Sequence, residues 1–243
     1  ERFTYRLVHV LVTGTESLKR GYAEHYRLPL AKILVMPNWI DLPASNSHPL
    51  SEDERRAILS GAGIHPRERV ILFAHRLSRR KGAHHLASIG EALRGKNAVL
   101  LVLGDGPERE AVERELSERG LRQTVRCMGW VPQREVTRYM KAADMFVMPS
   151  EEEGFPHVLL ECMAAKLPFV AFAVGGVREM VPRECEPYLS AAGDFPAFIQ
   201  NMEALLRLSP GERQVLGARM REHVERYALH KVAGIFYGFI TAR

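Results

Sequence analysis

Two carboxylates, Glu153 and Glu161, bracket the seven residues Gly154-Phe155-Pro156-His157-Val158-Leu159-Leu160. They follow the apolar run Met145-Phe146-Val147-Met148-Pro149-Ser150. The run reads as a buried strand ending at Pro149-Ser150, Glu153 as part of a short loop, and Glu161 as part of a helix that begins near Pro156. Were the intervening residues all helical, the carboxylates would stand about 12 Å apart at 1.5 Å per residue. A nucleotide sugar, extended from its sugar to its ribose across the diphosphate, spans a comparable length. One carboxylate would accept hydrogen bonds from sugar hydroxyls and the other from ribose hydroxyls. The helix N-terminus between them, with its free N–H groups, would face the phosphates. Two exposed acids flanking a core helix produce the same spacing, and spacing alone does not separate the two readings.

Other chemistry-bearing residues are spread along the chain. Arg76 and Lys81 follow the apolar run Val70-Ile71-Leu72-Phe73, at a strand end and a helix start, where ligands meet such elements. Arg79 and Arg80 read as surface charge. Gly104-Asp105-Gly106-Pro107 lacks the third glycine of a dinucleotide fingerprint, and a tight turn with proline at the first helical position accounts for it. Ten histidines are scattered, and the adjacent pair His84-His85 cannot face one ion from a regular helix. No metal site, P-loop, nucleophile elbow or Cys-His pairing is read from the sequence.

The elements that must position these groups alternate. Apolar runs at Val70–Phe73, Val99–Leu103, Val125–Met128, Met145–Met148 and Phe169–Phe172 are short and mostly unbroken by charge, as strands buried on both faces are. Helical stretches are expected near 82–94, 107–119, 133–142 and 156–165, and again in the tail near 194–208, 210–226 and 228–241. This alternation predicts an α/β, Rossmann-like, doubly wound parallel sheet. Arg76, Gly104, Gly129 and Glu153 each follow the end of one strand, the edge at which such sheets bind ligands. Before this region come a strand-like run from Tyr5 to Val12, a helix from Ser17 to Tyr26, a strand at Ile33–Met36, and a Pro/Ser/Asn-rich linker over 42–50.

With 46% hydrophobic and 26% charged residues, the composition is that of a soluble globular protein. No apolar run reaches membrane-spanning length and no signal peptide is visible. Three cysteines do not make a disulfide framework; Cys127 and Cys162 lie in apolar surroundings, so reduced buried thiols in a cytoplasmic protein are expected. The net charge of +5 permits an anionic partner, a nucleotide diphosphate or the inner face of a membrane, without requiring one.

Several motifs in order resemble the donor-binding, C-terminal half of retaining GT-B glycosyltransferases of glycosyltransferase family 4. Glu153-Gly154-Phe155 through Glu161 and on to Ala171 is similar to the family's E-x7-E segment, and Val174-Gly175-Gly176-Val177-Arg178-Glu179-Met180-Val181 to its V-G-G-x-x-E-x-V. Arg76-Leu77 with Lys81-Gly82 resembles G-R-L-x3-K-G, Gly104–Pro107 the G-x-G-P turn, Met128–Val131 the x-G-x-V loop, and Asn38–Asp41 the N-G-[IV]-D segment. The resemblance implies that Glu153 lies near the transferred sugar and that Glu161 binds ribose. It assigns Arg76 and Lys81 to the leaving diphosphate, where a fork-shaped guanidinium and an ammonium stabilise developing negative charge. Glu153, Arg76 and Lys81 are thus the expected catalytic residues. The segment Phe155, Pro156, His157 and Val158 is expected to bring backbone N–H groups to the sugar and phosphates, Gly154 included in the binding loop. The His157 imidazole itself is given no role. Met128, Gly129 and Val131 are expected beside the nucleobase, Trp130 in packing, and Gly175-Gly176 in a turn lining the cleft. Three positions depart from the family pattern: His75, Lys166 and Trp39 each replace a usual glycine. The His75 ring either touches phosphate or points away, and Lys166 changes a helix C-cap.

The implied organisation is 1–41 as the last β-α unit of an acceptor domain, 42–226 as the nucleotide-sugar domain, and 227–243 as a crossover helix. In that organisation Tyr227, Phe236, Tyr237 and Phe239 are partly exposed, and about half of a two-domain enzyme is missing. The intact enzyme would transfer a hexose from a donor such as a UDP-sugar or GDP-mannose to an acceptor glycan or lipid-linked glycan. It would do so with retention and without metal or cofactor, and the donor half alone would transfer little or no sugar. Competing readings are a non-catalytic nucleotide-sugar-binding or scaffold module and a GT-B epimerase or phosphorylase. A nucleic-acid-binding domain is suggested only by net charge.

Overall fold

The computed structural model describes residues 9–42 and 50–241. The first residues of the strand expected from Tyr5, and nearly all of the linker expected over 42–50, lie outside them. Two short parallel strands, β1 (Leu11–Thr13) and β2 (Ile33–Val35), flank helix α1 (Glu16–Tyr26). The remaining strands are β3 (Arg69–Ala74), β4 (Ala98–Leu103), β5 (Val125–Gly129), β6 (Met145–Met148), β7 (Phe169–Phe172) and β8 (Leu189–Ser190). They form one six-stranded parallel sheet in the order β5-β4-β3-β6-β7-β8. The helices are α2 (Glu52–Gly61), α3 (Leu86–Leu93), α4 (Arg109–Glu118), α5 (Gln133–Ala142), α6 (His157–Ala164), α7 (Val177–Met180), α8 (Phe195–Arg207), α9 (Pro210–Val224) and α10 (Leu229–Thr241).

The strand runs are apolar because both faces are covered: Val70, Ile71, Leu72, Phe73, Phe146 and Val147 are fully buried. From β3 the chain winds outward to β4 and β5, then α5 returns it to β6 on the other side of β3. Right-handed crossovers put the helices of the two halves on opposite faces. The order reverses between β3 and β6, and a crevice opens at the carboxyl ends of strands at such a reversal. Among the described residues, no helix is long and apolar enough to cross a membrane.

Helices α2 and α7 and strand β8 lacked an expectation. Helix α2 begins with a reciprocal capping box in which Ser51 and Glu54 satisfy each other's N–H groups, a signal present in the sequence as S-x-x-E. Strand β8 is two residues long, too short to show a pattern. Tyr227, expected to be partly exposed, is buried, its ring 5.3 Å from that of Phe155. Phe236 and Tyr237 are exposed as expected.

Lys166 follows α6 with φ +58°, and the pair Leu167 N–H to Cys162 O and Lys166 N–H to Met163 O closes the helix in a Schellman arrangement. A side chain in that conformation is strained and glycine is not. Lys166→Gly is therefore expected to raise the unfolding free energy by about 1 kcal/mol in urea denaturation.

Candidate donor-binding cleft

Helix α6 is buried nearly all round: Val158, Leu159, Leu160, Cys162, Met163 and Ala164 pack into the core. His157 and Glu161, four residues apart and so on one face, line a cleft of about 720 Å³ together with Val158, a residue expected in the binding segment. Its other walls are Ala74, His75 and Arg76 after β3, Leu103 to Gly106 at the end of β4, Trp130 and Val131 after β5, and Gln133 and Val136 of α5. The cleft thus lies at the β3/β6 reversal and is of a size that holds small organic ligands.

Arg76 is exposed at the rim; its carbonyl accepts from Ser78 N–H at 2.9 Å, and among the described residues no hydrogen bond or ion pair engages its guanidinium. The Glu161 carboxylate accepts a 2.9 Å hydrogen bond from Gln133 Nε2. Burial raises its pKa, and the amide of Gln133 opposes that shift. Among the described residues no side chain caps the first turn of α6, whose first two residues, His157 and Val158, line the cleft.

Glu153 and Lys81 do not line this cleft. Lys81 Nζ donates a 2.7 Å hydrogen bond to Glu153 Oε1, and the side chains retain 17% and 6% of their exposure. His75 stands between this pair and the cleft, its Nε2 3.8 Å from Glu153 Oε1. That answers the open question about the ring: it points toward the paired charges. Burial first, and the Lys81 charge second, push its pKa down to about 4, with Glu153 opposing. The ring is therefore neutral at pH 7. A group depressed in the fold binds fewer protons than in the unfolded chain between about pH 4 and its ordinary 6.5. Stability rises with pH across that window and is lost as pH falls through it. His85, also pushed down to about 4, contributes in the same direction. His75→Asn is expected to flatten, without abolishing, the difference in urea midpoint between pH 5 and pH 7.

The Glu153 loop is fixed by close backbone packing. A Cβ on Gly175, at φ +53°, would lie 1.7 Å from Glu153 O, and Gly176 N–H donates to Gly154 O at 2.9 Å. Gly175-Gly176 therefore braces the loop rather than lining the cleft. The carboxylate of Glu179, from the same segment, accepts from the N–H groups of Glu16 and Ser17 at 3.0 Å, capping α1.

Other expectations need correction. Pro156 has no N–H to offer and serves as the N-cap of α6, its carbonyl accepting from Leu159. Phe155 turns into the core, and its carbonyl accepts from Asn38 Nδ2 at 2.6 Å. The Met128 side chain packs on the core and borders a separate pocket with Cys127 and Glu113; Gly129 is not among the cleft residues. Trp130, expected in packing, is 72% exposed and belongs to the cleft wall. Gln133, the first residue of α5, gave no signal in the sequence that it would reach Glu161. His84 and His85 were expected in a regular helix, where they could not face one ion. They lie in a 3-10 turn (Ala83–His85), not an α-helix, and converge with Glu151.

The fold has counterparts. The structure superposes on Anabaena HepE, solved in complex with UDP, with a TM-score of 0.85 at 17% identity, covering 98% of this chain and 65% of that one. In sequence it is 28% identical to the 2-deoxystreptamine glucosyltransferase of Streptomyces kanamyceticus over 97% of this chain and 61% of that protein. It is 33% identical to an uncharacterized glycosyltransferase of Methanocaldococcus jannaschii over 74% of this chain and 46% of that protein. The chain thus spans about half the length of these two relatives. The parallel α/β sheet is that of GT-B glycosyltransferases. Glycosyl transferases group 1 match residues 54–223, from α2 through α9 and across every wall of the cleft, and the chain belongs to that family.

Proposed function

We propose that the cleft binds a nucleotide-diphospho sugar and that the protein transfers its hexose to an acceptor hydroxyl of a glycan or lipid-linked glycan. One observation carries this reading: Glu161, the uncapped start of α6 and the free Arg76 guanidinium converge on one cleft at the sheet's switch point. Glu161 would accept hydrogen bonds from ribose hydroxyls, while Arg76 and the α6 N–H groups would neutralise the diphosphate. The UDP bound by HepE and the glucosyl transfer named for the Streptomyces relative support a nucleotide-sugar donor. The resemblance to glycosyltransferase family 4 supports retention and catalysis without metal, in which positioning and leaving-group stabilisation lower the barrier. Residues 42–226 would form the donor domain.

Glu153 and Lys81 enter differently from the simple expectation. As a hydrogen-bonded pair they would act by holding His75 and the loop before α6, unless the incoming phosphates draw Lys81 away from Glu153. The test is calorimetric titration of the chain with UDP, GDP, UDP-glucose, UDP-N-acetylglucosamine and GDP-mannose. Binding of one nucleotide class, weakened about tenfold in Glu161→Ala for loss of a charge-assisted hydrogen bond, is the expected result. Folded protein that binds none of them overturns the proposal.

A further inference from the structure

A second cluster lies outside the cleft. His84 and His85, in the turn after Gly82, and Glu151, in the loop after β6, each offer a ligand atom, and these atoms all lie within 4.8 Å of one another. His84 Nε2 is 3.2 Å from Glu151 Oε1. The other ring nitrogen of His84, Nδ1, is buried without a hydrogen-bond partner. The His85 ring is held by stacking on Phe195, with centroids 4.5 Å apart and planes 10° apart.

We propose that His84, His85 and Glu151 form a zinc site. Two imidazole nitrogens and a carboxylate oxygen suit Zn²⁺, which takes a tetrahedral set at about 2.0–2.2 Å and so wants neighbouring donors roughly 3.4 Å apart. The His84–Glu151 pair, at 3.2 Å, already has about that spacing, and all three donor atoms lie within 4.8 Å of one another, so binding would draw the set together with water as the fourth ligand. Mg²⁺ and Ca²⁺ want sets of oxygen ligands and are poorly served here.

The ion would tie together two segments that already touch. Glu151 N–H donates to Arg80 O at 2.9 Å, and Gly82 lies against Pro149, where a Cβ would meet the carbonyl at 2.0 Å. One segment carries Lys81 and the other Glu153, so the ion would act as a clip that fixes their 2.7 Å pair. It would take no part in sugar transfer, since none of its three ligands lines the cleft.

The test uses the chelator-treated chain, titrated with Zn²⁺ against a chromophoric chelator, with Co²⁺ absorption to report tetrahedral ligation and Mg²⁺ as control. One equivalent of Zn²⁺ is expected to bind and to raise Tm by about 5 °C or more at saturating metal. Both effects should be lost in His84→Ala and in Glu151→Gln. These side chains are 25% and 43% exposed, so the metal-free Tm of each variant is expected to stay near that of the parent. Absence of stoichiometric binding overturns the proposal, as does Zn²⁺ binding retained in both variants, or an equal Tm rise with Mg²⁺.

Discussion

Replacing Glu153 by glutamine is expected to lower the unfolding free energy by about 3 kcal/mol, because it leaves a buried ammonium without its counter-charge. Lys81 retains 17% of its exposure and its hydrogen bond to Glu153 is 2.7 Å long, so water cannot take over the role of the carboxylate at little cost. The residual exposure puts the loss at the lower end of the range for a broken buried pair. Lys81→Met should cost a similar amount, since it strands a carboxylate that is 6% exposed. The double variant should be far more stable than the sum of the two losses predicts, recovering to within about 1 kcal/mol of either single variant or better, because it leaves no unpaired charge. His75 supplies an independent readout. Glu153 is the one charge that opposes the depression of its pKa, so in Glu153→Gln the ring should titrate still lower, which an NMR pH titration follows directly. Additive losses in urea unfolding, or an unmoved His75, would show that the pair does not act as a unit.

How the sequence foretold the cleft follows from which interactions are local. Five of the six strands were legible because each is a short apolar run, and a parallel sheet buried on both faces needs no polar alternation. The edge strand β8, two residues long, carries no such signal. Glu161 could be placed on a helix starting near Pro156, whereas the His157 ring, one turn before it on the same face, was given no role and yet lines the cleft. Glu153, by contrast, pairs with Lys81 across 72 residues, and nothing in either neighbourhood announces the other. Trp130 illustrates a different failure. An indole reads as core by type, yet Gly129 at φ +71° turns the chain at the end of β5 and delivers the ring to solvent beside the cleft. The histidine pair failed for a third reason: the reasoning presumed α-helical geometry, and the Lys81-Gly82 turn imposes a tighter one. Where the backbone is regular, types and spacing sufficed. Where a loop or turn decides direction, they did not.

Removing the Arg76 guanidinium is expected to weaken UDP binding by roughly 10- to 150-fold, since charge-assisted hydrogen bonds contribute about 1.5–3 kcal/mol. The stability of the free protein should hardly change. Arg76 is exposed at the rim and its guanidinium engages no partner among the described residues, so truncation to alanine strands nothing. This separates it from Glu153, whose loss acts on the fold as well as on any ligand. Arg76→Lys should recover only part of the affinity: an ammonium keeps the charge but not the planar fork that grips two phosphate oxygens at once. UMP should be far less sensitive than UDP to the substitution if the guanidinium meets the outer phosphate. The rest of the phosphate charge would fall to the N–H groups at the start of α6, which are backbone and survive every one of these substitutions. Calorimetry on the parent, Arg76→Ala and Arg76→Lys with both nucleotides measures all of this. Equal affinities across the three proteins would remove Arg76 from the donor site and leave the α6 N-terminus as its phosphate anchor.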